Sequence, residues 1–200
     1  MAIKFQYNKT SLQQLNKQLK ARLRALPTLQ SKEAALRMEV KRAKNQSEEL
    51  LEKLDARMKE YDAMVRLWGE FESDLISVKD VKMIVKKIAG VNTPILEDVI
   101  FEIKEFSLFN KPSWFLSGVQ IIESLVKISI ESEFFLRKME LLDFARKKTT
   151  QKVNLYEKVQ IPGYEEAISK VKRFLEDEEN LSKSSQKIVK KRQENNKEAA

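Results

Sequence analysis

The chain has 200 residues, a formal charge of +8, and neither His nor Cys. Without His there are no Ser-His-Asp triads, His general bases or His metal sites. Without Cys there are no disulfides, thiolate zinc sites or thiol nucleophiles. Ala, Glu, Lys, Leu and Arg make up nearly half of the residues, while Gly and Pro number four each. This is the composition of long helices joined by few turns.

The opening MAIKFQYNKTSLQQL lacks the apolar stretch of a secretory leader. The uncharged run Ser113 to Ile122 is too short to cross a bilayer. A soluble, cytoplasmic protein is expected.

The first predicted element is a helix over about 11–74, capped by Thr10 or Ser11. Its apolar stripe runs Leu12, Leu15, Leu19, Leu23, Leu26, Leu29, Leu36, Val40, Ala43, Leu50, Leu54, Met58, Tyr61, Val65 and Trp68, with Glu33 and Ser47 in the gaps. Steps of three and four kept for so long mark a coiled-coil seam. At 1.5 Å per residue the helix would be roughly 95 Å long.

The middle, 76–112, changes period. Val81, Met83 and Val85 alternate with Lys82, Ile84 and Lys86, and Val99, Phe101 and Ile103 with Ile100, Glu102 and Lys104. Ala89 to Pro94 is a turn signal. A short β-hairpin fits, with Lys on one strand facing Glu on the other, although Val81 to Ile88 also suits a helix. The rings Phe106, Phe109, Trp114 and Phe115 follow. They either plug the gap between hairpin and coiled coil or form a docking region for a partner.

A second long helix is predicted over about 113–192, opened by Pro112 at a tolerated early position. Its stripe runs from Ile121 through Leu142, Val153, Val159, Tyr164, Val171, Phe174 and Leu181 to Ile188. The simplest burial of two such stripes folds the helices back on each other. The predicted fold is therefore mainly α: a long antiparallel two-helix coiled coil with a short central β-hairpin. Its parts are 1–75, 76–112 and 113–200, one continuous structural unit. Pro27 and Pro162 each remove a backbone donor inside a helix and are expected to bend the pair at a shared level.

The charge is concentrated at the chain ends. Lys4, Lys9, Lys17, Lys20, Arg22 and Arg24 fall in 1–26 without an acid, and Lys183, Lys187, Lys190, Lys191, Arg192 and Lys197 face two acids in 182–200. Solvated tails are the plain reading. An antiparallel pairing would instead gather both ends into one basic tip facing an acidic partner. For chemistry the chain offers little. The four glycines are scattered singly, so no phosphate-cradling loop can be written. Glu176 to Glu179 would point in successive directions around a helix. No active site is expected, and no cofactor or metal.

Several segments resemble the D subunit of V/A-type ATPases and ATP synthases. Asn8-Lys9-Thr10 with Leu12, Leu15 and Leu19 is similar to the family's N-terminal Asn-x-Thr and leucine ladder. Gly90-Val91-Asn92-Thr93-Pro94 is similar to its central turn, and Phe106-Ser107-Leu108 with Pro112-Ser113-Trp114 to the opening of its C-terminal helix. Thr149 and Val153-Asn154, leading through Glu157 to Ile161-Pro162, is the most specific match. Asn180 to Ser184 departs from the Phe-rich stretch common there.

The resemblance implies a non-catalytic central rotor shaft in the soluble sector, peripheral to the membrane. Its tip would turn inside a hexamer of catalytic A and non-catalytic B subunits. Lower down it would carry the small F subunit and seat in the funnel-like subunit that joins the membrane ring. The charge map then nominates Lys17, Lys20, Arg22, Arg24, Lys187, Lys190 and Lys191 for hexamer contacts, with Ala21, Ala25, Ser182 and Ser185 giving a smooth surface. Two rivals share the composition. One is a stalk, escort or tether for an export ATPase. The other is a basic nucleic-acid-binding coiled coil, against which stands the lack of a reader motif.

Overall fold

The computed structural model describes residues 3–61, 68–71, 75–105, 107, 109 and 111–198. In chain order the elements are α1 (Lys9–Tyr61), β1 (Ile76–Ile88), β2 (Val91–Ile103), α2 (Phe115–Leu155), a π-helical turn (Tyr156–Gln160) and α3 (Ile161–Glu198). The protein is mainly helical, with a two-stranded antiparallel hairpin in the middle.

Helix α1 is followed to Tyr61, and the last helix runs past the expected 192 to Glu198. The cap of α1 is Asn8 rather than Thr10 or Ser11. Its Oδ1 accepts the Ser11 N–H at 2.6 Å, and its carbonyl accepts the Leu12 N–H at 3.1 Å. Ser11 Oγ in turn accepts the Gln6 N–H at 3.3 Å. One donor left over at the helix start, the Ser11 N–H, is thus satisfied, and Ser11 ties down the turn ahead of the cap.

The β-branched run Val81 to Ile88, which suits either period, is strand. Ala89 (φ 48) and Gly90 (φ 81) form a two-residue turn with both φ values positive. Such a turn matches the twist of the strands it joins, and glycine supplies the left-handed geometry without a Cβ penalty. The turn is therefore shorter than the Ala89–Pro94 segment expected, and Val91 to Pro94 belong to β2. Each strand has 13 residues. Lys82 faces Asp98, but Lys86 and Lys87 face Thr93 and Asn92, so the expected Lys–Glu ladder does not form. Register shifts at Lys79 and at Glu97 mark bulges.

The chain divides into two compact units, 1–31 with 149–200, and 32–148. In the first, Leu15 packs with Tyr164, Ala167, Ile168 and Val171, and Ile3, Phe5, Leu12, Leu19 and Leu175 close around them. In the second, Leu36, Ala43 and Ser47 from α1 and Ser132 and Leu142 from α2 are buried. Ser47 and Ser132 meet through their hydroxyls at 3.3 Å, and Arg57 reaches Ser124 at 3.2 Å. Numbers rise on one helix as they fall on the other, so the helices pair antiparallel. Along α1 the buried Leu15, Leu36 and Ala43 and the half-buried Arg22 and Leu29 fall at intervals of seven, the seam of a coiled coil. Leu23 and Met58, expected in that seam, are 46% and 53% exposed.

Candidate functional site

The basic residues nominated for the tip do not form one patch. Lys17, Lys20 and Arg24 are exposed on α1, while Arg22 occupies a seam position and is half-buried. Its Nε donates to Gln160 Oε1 at 2.6 Å, and its guanidinium lies 4.4 Å from the centre of the Tyr164 ring. Arg22 is thus tied into the helix pair by a hydrogen bond and a cation–π contact. Lys187, Lys190 and Lys191 lie far along α3: Lys187 is 27 residues beyond Gln160, about 40 Å at the helical rise.

That distance follows from unequal arms. The chain ahead of α1 folds back on α3, with Tyr7 and Phe174 ring centres 4.8 Å apart and Ile3 against Gly163, where a Cβ would meet it at 3.2 Å. Lys9 and Leu12 still line a shallow cavity with Glu176, Glu179 and Ser182 at the start of α1, and every residue from Glu176 to Asn195 is exposed. Within this arm Leu181, Ile188 and Val189 are 70%, 56% and 53% exposed. Ser182 and Ser185 lie beside them, and Lys187, Lys190 and Lys191 supply positive charge. The arm holds its own turns together. Glu179 pairs with Lys183 at 2.7 Å, which holds its carboxyl below the ordinary carboxylate range, and Lys190 pairs with Glu194 at 3.8 Å. The apolar members of the arm were missing from the nominated contacts. Their signal was the seven-residue step Phe174–Leu181–Ile188, which continues after the partner helix has ended.

Pro27 lies on the exposed side of α1, which passes through it as one helix. A cavity lined by Ala25, Thr28 and Leu29 on one side and Lys152, Leu155 and Tyr156 on the other puts Pro27 opposite the start of the π turn. Pro162 follows its end. There the Ile161 N–H bonds to the Tyr156 carbonyl, five residues back. Pro162 lacks a donor and its ring crowds the carbonyl four residues back, and a widened turn just before it relieves both.

The aromatic residues separate into two kinds. Phe115 is 1% exposed, packed by Phe71 at 5.2 Å and Trp114 at 4.8 Å between ring centres. Trp68 meets Trp114 edge to face at 5.7 Å. Phe115 is therefore core and offers no docking surface, and half-buried Trp114 is the lid of the same cluster. Phe109 is fully exposed. Phe106 lies outside the described residues.

Among the described residues no group of three or more acidic side chains is placed to hold a metal ion, and no helix is long and apolar enough to cross a membrane. Paired antiparallel helices, a long exposed helical arm and a central hairpin define a helical coiled-coil protein. The chain belongs to the ATP synthase D-subunit family, whose model matches residues 11–191. It is 32% identical over 194 residues to the V-type ATP synthase D subunit of Borreliella burgdorferi, covering 94% of each chain. It is 29% identical over 178 residues to the protein of the same name in Chlamydia muridarum, covering 86% of this chain and 88% of the relative.

Proposed function

We propose that this protein is the central rotor shaft of a rotary V/A-type ATPase, carrying torque between a catalytic A/B hexamer and an ion-translocating membrane ring. Membership in the D-subunit family makes it a stalk subunit of a V-type ATPase. The observation that carries the finer reading is the α3 arm from Glu176 to Asn195. A lone helix with exposed Leu181, Ile188 and Val189 leaves apolar area in water, each side chain forgoing a half or more of the about 1.5–3 kcal/mol that full burial gives. A surrounding protein collar would recover that energy.

Torque asks for stiffness. Paired Gly-poor helices supply it, and Arg22 bound to Gln160 and Tyr164 resists sliding where the π turn loosens α3. Rotation asks for contacts that can be exchanged. Lys187, Lys190 and Lys191 can pass from one acidic loop of the collar to the next, since solvated lysines form shallow, screened pairs. In this reading ATP turnover in A and B turns the shaft and drives ions, and ion flow in reverse drives synthesis; the chain itself catalyses nothing. The small F subunit and the funnel-like subunit are its other partners, and it works on the cytoplasmic side, peripheral to the membrane.

The test is reconstitution with A, B and F subunits. One copy per A/B hexamer is expected after size exclusion. Reversing Lys187, Lys190 and Lys191 to Glu is expected to lower coupled ATPase activity while the complex still assembles. A chain that never joins the hexamer would overturn the shaft reading; full coupling after the charge reversal would overturn the role of those lysines.

A further inference from the structure

The two strands of the hairpin differ in burial and in charge. On β2, Thr93 and Val99 are buried and Pro94, Leu96, Ile100 and Phe101 half-buried, whereas no residue of β1 is buried. Met83, Ile84 and Val85 are 59%, 52% and 62% exposed. From Lys82 to Lys87, β1 carries three lysines and no acid, while β2 carries Glu97, Asp98 and Glu102 and no base. Asp98 is held from α2 by Lys127 at 3.9 Å.

The register says which backbone groups are free. Ile88 and Val91 close the two-residue turn with reciprocal hydrogen bonds, so Lys86/Thr93 and Ile84/Ile95 are also bonded pairs. Thr93 Oγ1 donating to the Lys86 carbonyl at 2.9 Å agrees with that phase. The intervening residues Met83, Val85 and Lys87 turn their N–H and C=O groups to the outer edge of β1. On β2 the matching outward position opposite Val85 is Pro94, which has no N–H, and Glu97 is bulged. Proline and a bulge are how proteins close a sheet edge. The β2 edge is closed by them, and β1 is regular from Asp80 to Ile88.

We propose that the outer edge of β1, Lys82 to Lys87, is a docking site for an extended acidic segment of another protein chain, which adds to the hairpin as a third strand. Main-chain bonds to Met83, Val85 and Lys87 would supply pairing, and the lysines would select the partner's charge. Lys82 and Lys86 stand on one face of the strand and Lys87 on the other, so acids on either face of the incoming strand are answered. Lysines on an edge also repel strands of like charge, so β1 of a second copy is disfavoured, and its β2 is barred by Pro94. This inference rests on the hairpin alone and stands apart from the rotor reading.

The test uses the full chain and two fluorescein-labelled peptides, one alternating Glu and Val and one alternating Lys and Val, followed by anisotropy. The acidic peptide is expected to bind at least about tenfold more tightly, with affinity falling as salt rises, and to slow hydrogen exchange over 82–88. Val85→Pro removes one outward N–H and no hairpin bond, and is expected to abolish binding while exchange over 91–100 is unchanged. The Lys82→Gln, Lys86→Gln, Lys87→Gln triple variant keeps the backbone and is expected to lose the preference between the peptides. Equal binding of the two peptides, or a triple variant that still discriminates, would overturn the proposal. So would self-association in sedimentation that Val85→Pro removes, since a second copy would then be the occupant.

Discussion

Ser47 and Ser132 offer a sharp test of the helix pairing in the second unit. Both are buried, at 1% and 2% exposure, and each hydroxyl has the other as its interhelical partner at 3.3 Å. Replacing one by Ala leaves the other hydroxyl in an apolar seam without that partner, a cost of about 1–3 kcal/mol. Alanine returns about 0.5 kcal/mol in helix propensity, so each single variant is expected to lose about 0.5–2.5 kcal/mol. The double variant removes both polar groups and gains the propensity twice, which brings it within about 0.5 kcal/mol of the parent. Urea unfolding followed by far-UV circular dichroism, arranged as a double-mutant cycle, reads the coupling directly. A coupling of at least about 0.5 kcal/mol is expected. If the two single losses add to the double loss, the hydroxyls are satisfied within their own helices and the pairing argument is refuted.

Further outcomes are expected on the same physics. Phe115→Ala should lose about 3–5 kcal/mol by emptying the Phe71–Trp114 cluster, whereas Phe109→Ala, at a fully exposed ring, should leave the urea midpoint unchanged. Gly90→Ala should destabilise the hairpin by about 1 kcal/mol because φ is 81 there, and Ala89→Gly should stabilise it by a similar amount; hydrogen exchange of the strand amides checks both. The Asp143 carboxyl is held below its ordinary value, near 3.8, first by Lys147 and then by Arg146, at 2.9 Å and 2.7 Å. A lowered folded value means stability that is whole above the ordinary value and lost as pH falls through the lowered one. The stability difference between the parent and Asp143→Asn should therefore be constant from pH 7 to 5 and vanish in strong acid.

Much of the fold was legible because repetition is a strong signal. An apolar stripe in α1 and a second one across 121–188 can be buried together, and a run of alternating apolar residues around a Gly turn can pair. What could not be read locally was which residues of the stripe stay covered. Leu181 and Ile188 continue the period as faithfully as Leu15 does, yet they are exposed because α1 has already ended. Arg22 reads as surface charge, and only the facing Gln160 and Tyr164 make it a seam residue. Val81 to Ile88 was ambiguous because β-branched residues tolerate either period until a partner strand is present. Phe115 and Phe109 are the same residue six positions apart, and nothing in their near sequence separates a core ring from a bare one.

The π turn has a bearing on how long this chain can be. Leu142 and Thr149 are buried seven residues apart, and so are Tyr164 and Val171. Between Thr149 and Tyr164 the interval is fifteen, one more than two heptads. Tyr156–Gln160 absorbs the surplus residue, much as a dislocation confines the misfit between two regular blocks of a crystal. Elsewhere in α2, or in α3 ahead of Leu175, a one-residue insertion would swing the downstream face by about 100° and take it out of the seam. Removing one residue from 156–160 would instead heal the defect and join the two stripes in a single uninterrupted phase.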